Sequence, residues 1–312
     1  MDKIKEWLKT TPYKDCTLKV ASADASFRKY YRLTCRDKTL ILMDSSLEKN
    51  SLAPFLDVTS RLLHVGVNAP KILEKNLEDG FLIIEDFGNT HYLNILDKTN
   101  FKTLYKKAID EIISMQKADT SELPVYDKEF LHVEMDFMKE WYIEKHLNTT
   151  LDESQTKLLE SSLDTISDIV LSQPQNVFVH RDFHSRNIMI KDDESIGVID
   201  YQDAMSGAVT YDLVSLLKDC YVEYEREDIQ NLALTYRDKL SLHVEDEVFI
   251  KWFDFMGLQR HIKVLGIFSR LYLRDAKDGY LKDIPLTLKY TIETALRYDE
   301  TKELAKLLEE IQ

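Results

Sequence analysis

Residues 180–204 read HRDFHSRNIMIKDDESIGVIDYQDA, and no other stretch of the chain is as densely polar or as regularly spaced. His180, Asp182, His184, Arg186 and Asn187 crowd the start, and Asp200 follows a short apolar passage. NVFVH (176–180) is an apolar strand that feeds a polar turn. NIMI (187–190) and IGVID (196–200) flank the acidic turn Asp192–Ser195, the pattern of a hairpin. A hairpin brings its two ends together, so Asn187 and Asp200 are expected side by side, with Asp182 in the loop before them.

An amide oxygen and a carboxylate aimed at one point make a hard, oxygen-rich site. It suits Mg²⁺, which takes few protein ligands and completes its shell with water and substrate phosphates. A third acid held off the metal can orient and deprotonate an attacking hydroxyl. Together these are the parts phosphoryl transfer needs, because positioning and charge neutralisation carry most of that chemistry.

The rest of the chain is compatible with that chemistry. With 312 residues, 44% of them apolar, it can form two domains or one two-lobed unit. The formal net charge of −14 argues against a nucleic-acid partner, which demands clustered Lys and Arg. Cys16, Cys35 and Cys220 show neither zinc spacing nor a disulfide framework, so a reducing cytoplasm is the expected setting. No secretory leader and no run of about 20 apolar residues is found, so no membrane contact is expected. Glycine is scarce, 8 residues, so a phosphate-binding loop here is not glycine-rich.

Up to Gly88 the texture is mixed. TLKVAS, SFRKYYRLTC and TLILMD have strand composition; SLAPFLDVTSRLLHVG (51–66) has helical spacing; KILEK and GFLIIEDFG return to strand, with Asp79-Gly80 as the turn. Beyond Gly88 helices dominate. The charges on the helices between Phe101 and Ser172 are read as solvated faces.

His180-Arg181-Asp182, Asn187 and Ile199-Asp200-Tyr201 resemble the catalytic loop and metal motif of the protein-kinase-like fold, in the aminoglycoside phosphotransferase and choline kinase branch. ASADASFRKYYRL, GFLIIEDFG, VIDYQDAMSGAVTYDLVSLLKD and LQRHIKVLGIFSRLYLRDAKDGYL extend the likeness across most of the chain. They point to the cell-wall-recycling kinases that phosphorylate N-acetylmuramate and N-acetylglucosamine at the anomeric carbon. The resemblance implies an α+β, two-lobed fold, with a small β-rich N-lobe (1–88) ending in the hinge and a larger, mainly helical C-lobe (89–312).

By the same resemblance, Asp182 is the catalytic base, and Asn187 and Asp200 hold Mg²⁺. Ser22, Asp24 and Ser26 belong to the loop over the phosphates of ATP, and Glu85 to Phe87 form the hinge that binds adenine. One departure stands out. The fold usually has a lysine on the third strand paired with a helix glutamate. Here Leu42 or Met43 stands in TLILMD, and SLAPFLDVTSRLL has no Glu. Losing both together avoids an unpaired charge. Arg28 is the expected substitute cation, ahead of Lys29 and Arg32.

His180 is expected to orient the loop through hydrogen bonds, and Asp212 to cap the helix that begins at Tyr211. His184, Gln202 and Asp203 are candidates for substrate contact, each with a packing alternative. Arg260, Lys263, Arg270 and Arg274 fall near one helical stripe. It serves either as salt bridges to the many acids or, through Arg260 and Lys263, as an anion site for a substrate carboxylate. Tyr201 and Tyr221 either stack on a sugar or pack.

The expected function is ATP-dependent phosphorylation of an amino sugar by a monomeric cytoplasmic enzyme. An aminoglycoside acceptor and a turnover-deficient pseudokinase are the alternatives.

Overall fold

In the computed structural model of the chain, which describes residues 1–22, 28–191 and 193–312, the elements follow in this order. They are α1 (Asp2–Lys9), β1 (Thr17–Ser22), β2 (Lys29–Thr34), β3 (Thr39–Asp44), α2 (Leu52–His64), β4 (Ile72–Asn76), β5 (Phe81–Glu85), α3 (Tyr92–Ile95), α4 (Phe101–Met115) and α5 (Lys128–Phe137). A π-helical stretch, Met138–His146, continues α5. Then come α6 (Glu153–Leu171), β6 (Val177–Val179), β7 (Ile188–Ile190), β8 (Ile196–Val198), β9 (Met205–Gly207), α7 (Tyr211–Leu217), α8 (Arg226–Lys239), α9 (Asp246–Leu273), α10 (Ile284–Ala295) and α11 (Lys302–Glu310). The chain divides into two compact units, Met1–Ile95 with Arg186–Ala204, and Leu96–Ser185 with Met205–Gln312.

The first unit holds an antiparallel sheet in the order β1-β2-β3-β5-β4. Alternation decides its faces. Tyr31 and Leu33 of β2, Leu40 and Leu42 of β3, and Phe81 and Ile83 of β5 form one apolar cluster with Ile4 and Leu8 of α1. Arg32 lies on the opposite parity, and its guanidinium grips both Asp86 oxygens at 2.6 and 2.9 Å and the Gly88 carbonyl at 2.9 Å.

The β1–β2 register also corrects the reading of the cysteines. Thr17 pairs with Thr34, so Cys16 and Cys35 fall opposite each other one step further on, with Cα atoms 4.5 Å apart, and they form a disulfide. A separation of 19 residues hides a neighbourhood that only the hairpin register creates.

The second unit is built around α9. Its 28 residues are apolar or buried on nearly every side, the mark of a central helix rather than a surface one. Gly266 is required there: a Cβ at that position would sit 2.2 Å from the Phe137 carbonyl carbon. The contact falls where α5 gives way to the π-helical stretch. Asp152 and Gln155 close a capping box at the start of α6. Short strands β6 and β9 pair antiparallel and present residues 180–185 at one end. No helix among the described residues is long and apolar enough to cross a membrane.

Candidate active site

In the second unit, Asp182 follows β6 in a loop whose backbone is held by acids from α7 and just beyond it. The Asp212 carboxylate accepts the N–H groups of His180 at 2.8 Å and Arg181 at 3.0 Å. This corrects the expectation of a helix cap, because Asp212 serves the loop instead of its own helix. Arg181 takes a left-handed φ of 76°, a costly conformation for a residue with a side chain, and the two bonds to Asp212 support it. Ser215 Oγ donates to the Arg181 carbonyl, and Asp219 accepts the Ser185 N–H at 2.9 Å. His180 is fully buried, and its Nδ1 accepts the Asp182 N–H at 3.3 Å. Burial pushes the Asp212 carboxyl up to about 6, against the pull of His180 and the two backbone donors.

Asp182 itself sits among cations. Burial alone would raise its carboxyl, but Lys263, His184, Arg260 and Arg181 outweigh it and hold the group at about 2. Arg260 and Lys263 are 4% and 5% exposed, so the stripe on α9 does not face solvent where it meets this loop. Further along, the stripe disperses: Arg270 stacks on Phe137 at 4.7 Å and Arg274 pairs with Asp275. His184 meets Tyr221 edge to face at 5.3 Å, and Tyr221 lies beside Phe268.

The sequence reading missed Glu134. It was assigned to a solvated helix face, yet it is 3% exposed and contacts Arg181 Nη2 at 2.5 Å, Lys263 Nζ at 3.0 Å and Gln259 Nε2 at 3.2 Å. It supplies the counter-charge that lets two cations stay buried beside Asp182. The signal was present: Leu131, Glu134, Met135 and Met138 share one helical face, which puts an acid in an apolar stripe.

In the first unit, β7 and β8 pair with Ile188 opposite Val198, and the Ile199 N–H donates to the Asn187 carbonyl at 3.2 Å. The Asn187 amide reaches Asp200 Oδ2 at 3.4 Å. Asp200 has a φ of 66° and is exposed. Gln202 Nε2 donates to Asp200 Oδ1 at 3.0 Å and to Asp203 Oδ2 at 3.1 Å, so Gln202 links the other candidate, Asp203, to the Asp200 carboxylate. Amide orientation is assigned by the partner present, so a turned Asn187 offers its oxygen beside Asp200 Oδ2. Among the described residues no group of three or more His, Cys, Asp or Glu could hold a metal. Two oxygen donors, with an exposed carboxylate held by neutral side-chain amides, fit a cation that draws its other ligands from phosphate and water.

The same hairpin is tied to the loop before β4 and to the end of β5 and the residues after it. Asn68 bonds the backbone of Ile196 and Val198, and Lys191 reaches Glu85 at 3.2 Å and lies 4.9 Å over the Phe87 ring. Gly197 makes room for Phe87, since a Cβ there would be 2.4 Å from its ring. Phe87 is therefore buried, while Glu85 is only partly so.

Among the expected phosphate-loop residues, Ser22 ends β1, and Asp24 and Ser26 lie outside the described residues. Arg28 is 5% exposed, donates to Ser51 Oγ at 3.3 Å and lies 5.8 Å from the Phe55 ring centre. Leu42 and Met43 are fully buried on β3. On α2, Thr59 bonds the Tyr201 hydroxyl at 2.8 Å and Phe55 stacks on its ring. Tyr201 is thus a packing residue, which removes it from the candidates for sugar stacking.

Residues 17–243 match the model of the phosphotransferase enzyme family. The chain is 40% identical to the N-acetylmuramate/N-acetylglucosamine kinase of Neisseria meningitidis serogroup B, covering 99% of this chain and 95% of that one. It is 37% identical to the enzyme of the same name from Pseudomonas aeruginosa, covering 92% and 86%. Among solved structures, the ADP-bound aminoglycoside phosphotransferase APH(2'')-Ib superposes with a TM-score of 0.65 at 16% identity, over 94% of this chain and 98% of that one.

Proposed function

Because the chain belongs to the phosphotransferase enzyme family and has its kinase-like α+β fold, we propose that it transfers the γ-phosphoryl group of ATP to the anomeric hydroxyl of N-acetylmuramate or N-acetylglucosamine. The new bond joins the sugar O1 to phosphorus, the bond from phosphorus to the bridging β-phosphate oxygen breaks, and ADP leaves. Near-complete coverage of two kinases named for these sugars, at 40% and 37% identity, supports the acceptor.

In this reading Asp182 receives the hydroxyl proton. A carboxylate held at about 2 is a weak base. Its main service is to align the hydroxyl and take the proton late, as the bond to phosphorus forms, and the anomeric hydroxyl is the most acidic one on a reducing sugar. Asn187 and Asp200 hold Mg²⁺, which would neutralise charge on the phosphates. Glu85 to Phe87 bind the base of ATP through backbone groups, and Asp212 and His180 keep the loop in place. Arg260, which lies against the Cys220 sulfur, is the candidate to grip the lactyl carboxylate of N-acetylmuramate, with Lys263 beside it held by Glu134.

What favours the first reading over its aminoglycoside rival is that the kinases this chain matches over most of its length are named for the two amino sugars. The reaction is placed in the cytoplasm, where ATP is supplied. ATP consumption measured against a panel of amino sugars and aminoglycosides, with phosphorus NMR of the product, tests the assignment. A sugar 1-phosphate is expected, and phosphate found only on an aminoglycoside would overturn it.

A further inference from the structure

A second charged cavity lies wholly within the second unit. It encloses about 590 Å³, inside the roughly 300–1,000 Å³ range of small-molecule sites. Lys98, Lys218, Arg226, Lys289, Tyr290 and Arg297 are on its wall. Lys218, directly after α7, is 7% exposed and its ammonium lies 4.3 Å over the Tyr290 ring centre. Among the described residues that ammonium makes no hydrogen bond and no ion pair.

The other charges do not supply that ammonium with an anion. Arg226 is committed to both oxygens of Asp254, at 3.1 and 2.6 Å. Lys289 pairs with Glu223 at 2.5 Å, and Asp228 with Lys102 at 2.5 Å. Once these are matched, Lys98, Lys218 and Arg297 remain on the wall against Glu225 and Glu293. The surplus is cationic. Burial pushes Lys218 down to about 8; Asp254 and Glu293 oppose the shift, and Arg226 and Arg297 add to it.

The cavity is not the Asp182 site seen from another side. Arg260 of α9 reaches Asp182 and the Cys220 sulfur, whereas the next residue, His261, donates from Nε2 to the Lys218 carbonyl at 2.9 Å and stacks on Tyr290. Successive helical positions point about 100° apart, so α9 serves the two sites with different faces.

We propose that this cavity binds a phosphate-bearing small molecule, whose phosphate sits between the Lys218 ammonium and the Arg297 guanidinium against the Tyr290 ring. An ammonium and a planar guanidinium fork together suit a doubly charged oxyanion. The bound anion would give the Lys218 ammonium the charged partner it lacks among the described residues.

The test uses the full enzyme with its catalytic centre loaded with Mg²⁺ and ADP. Calorimetric titration is run with inorganic phosphate in one arm and glucose 6-phosphate in the other. Saturable binding is expected in at least one arm, with Kd raised at least tenfold in Lys218→Met and in Arg297→Ala. Tighter binding of the sugar phosphate identifies a metabolite site, and equal binding a site for the free anion. Arg297 is exposed, so its variant keeps the test valid if Lys218→Met does not fold, and its kcat should match the wild type. Absence of saturable binding in both arms, or a Kd unchanged in Arg297→Ala, overturns the proposal.

Discussion

The surroundings of Asp182 and the Asn187–Asp200 pair solve opposite electrostatic problems. Asp182 is fixed by three helices: α5 brings Glu134, α7 brings Asp212, and α9 brings Arg260 and Lys263. Its charge state is settled before any ligand arrives. The Asn187–Asp200 pair comes from one short hairpin, meets at 3.4 Å, and leaves Asp200 exposed. On the proposed reading Asp182 is the base and Asp200 the metal ligand; a base must hold one charge and one position, so a packed, preorganised setting serves it. A metal-binding carboxylate must wait for its cation, and burying it unpaired would cost several kcal/mol. Exposure is the less costly way to wait.

The sharpest way to break this contrast is Asp182→Asn. Turnover should fall about 10²- to 10⁴-fold, the range of general-base contributions, while binding of MgATP measured by fluorescence titration stays within twofold. A wild-type rate would show that Asp182 is not the base. Next in size is Glu134→Gln, which leaves Arg181 and Lys263 without their counter-charge. A loss of about 3 kcal/mol of stability is expected, as for one partner removed from a buried pair, read from urea denaturation. No loss would mean the cations find other partners.

Asp200→Asn should behave the other way round. Its kcat/KM for ATP should drop about 100-fold, as when a metal site loses support, with partial recovery at raised Mg²⁺, yet its melting temperature should match the wild type. A large drop in melting temperature would deny that the pair is an open site.

The smallest effect is in pH. Asp182 keeps its charge far below neutrality, so an acid limb near pH 6 in kcat belongs to Asp212, whose carboxyl burial holds at about 6. Asp212→Asn should abolish that limb. The sign for folding follows. Between the ordinary carboxyl value and 6, the unfolded chain is ionised here and the native one protonated, so this residue subtracts stability as pH rises through that window.

What the sequence shows of this molecule depends on how far apart the cooperating residues lie. The hairpin at 187–200 is legible because its strands, turn and acid are contiguous. The contacts that depend on packing are not. Cys16 and Cys35 meet only once the β1–β2 register is set. Helical spacing placed Arg260, Lys263, Arg270 and Arg274 on one stripe, but α9 is buried on most of its surface, so spacing could not tell which of them faces inward. Glu134 was visible as an acid in an apolar stripe, though its partners come from residues 47 and 129 positions away, read as differences in residue number. In SFRKYYR, alternation puts Arg28 and Arg32 on one parity, and it cannot foresee that Arg32 is taken up by Asp86 and Arg28 by Ser51 and Phe55.

The family match ends at residue 243, and α9 starts at Asp246. The helix that carries Arg260 and Lys263 therefore lies downstream of the pattern shared across the family. On the proposed reading, the machinery that moves phosphate and the helix that selects the acceptor are consecutive tracts of one polypeptide. Because Arg260 and Lys263 also steady the charge of Asp182, a mutation on this helix that retunes the choice of sugar would be felt by the inherited chemistry upstream.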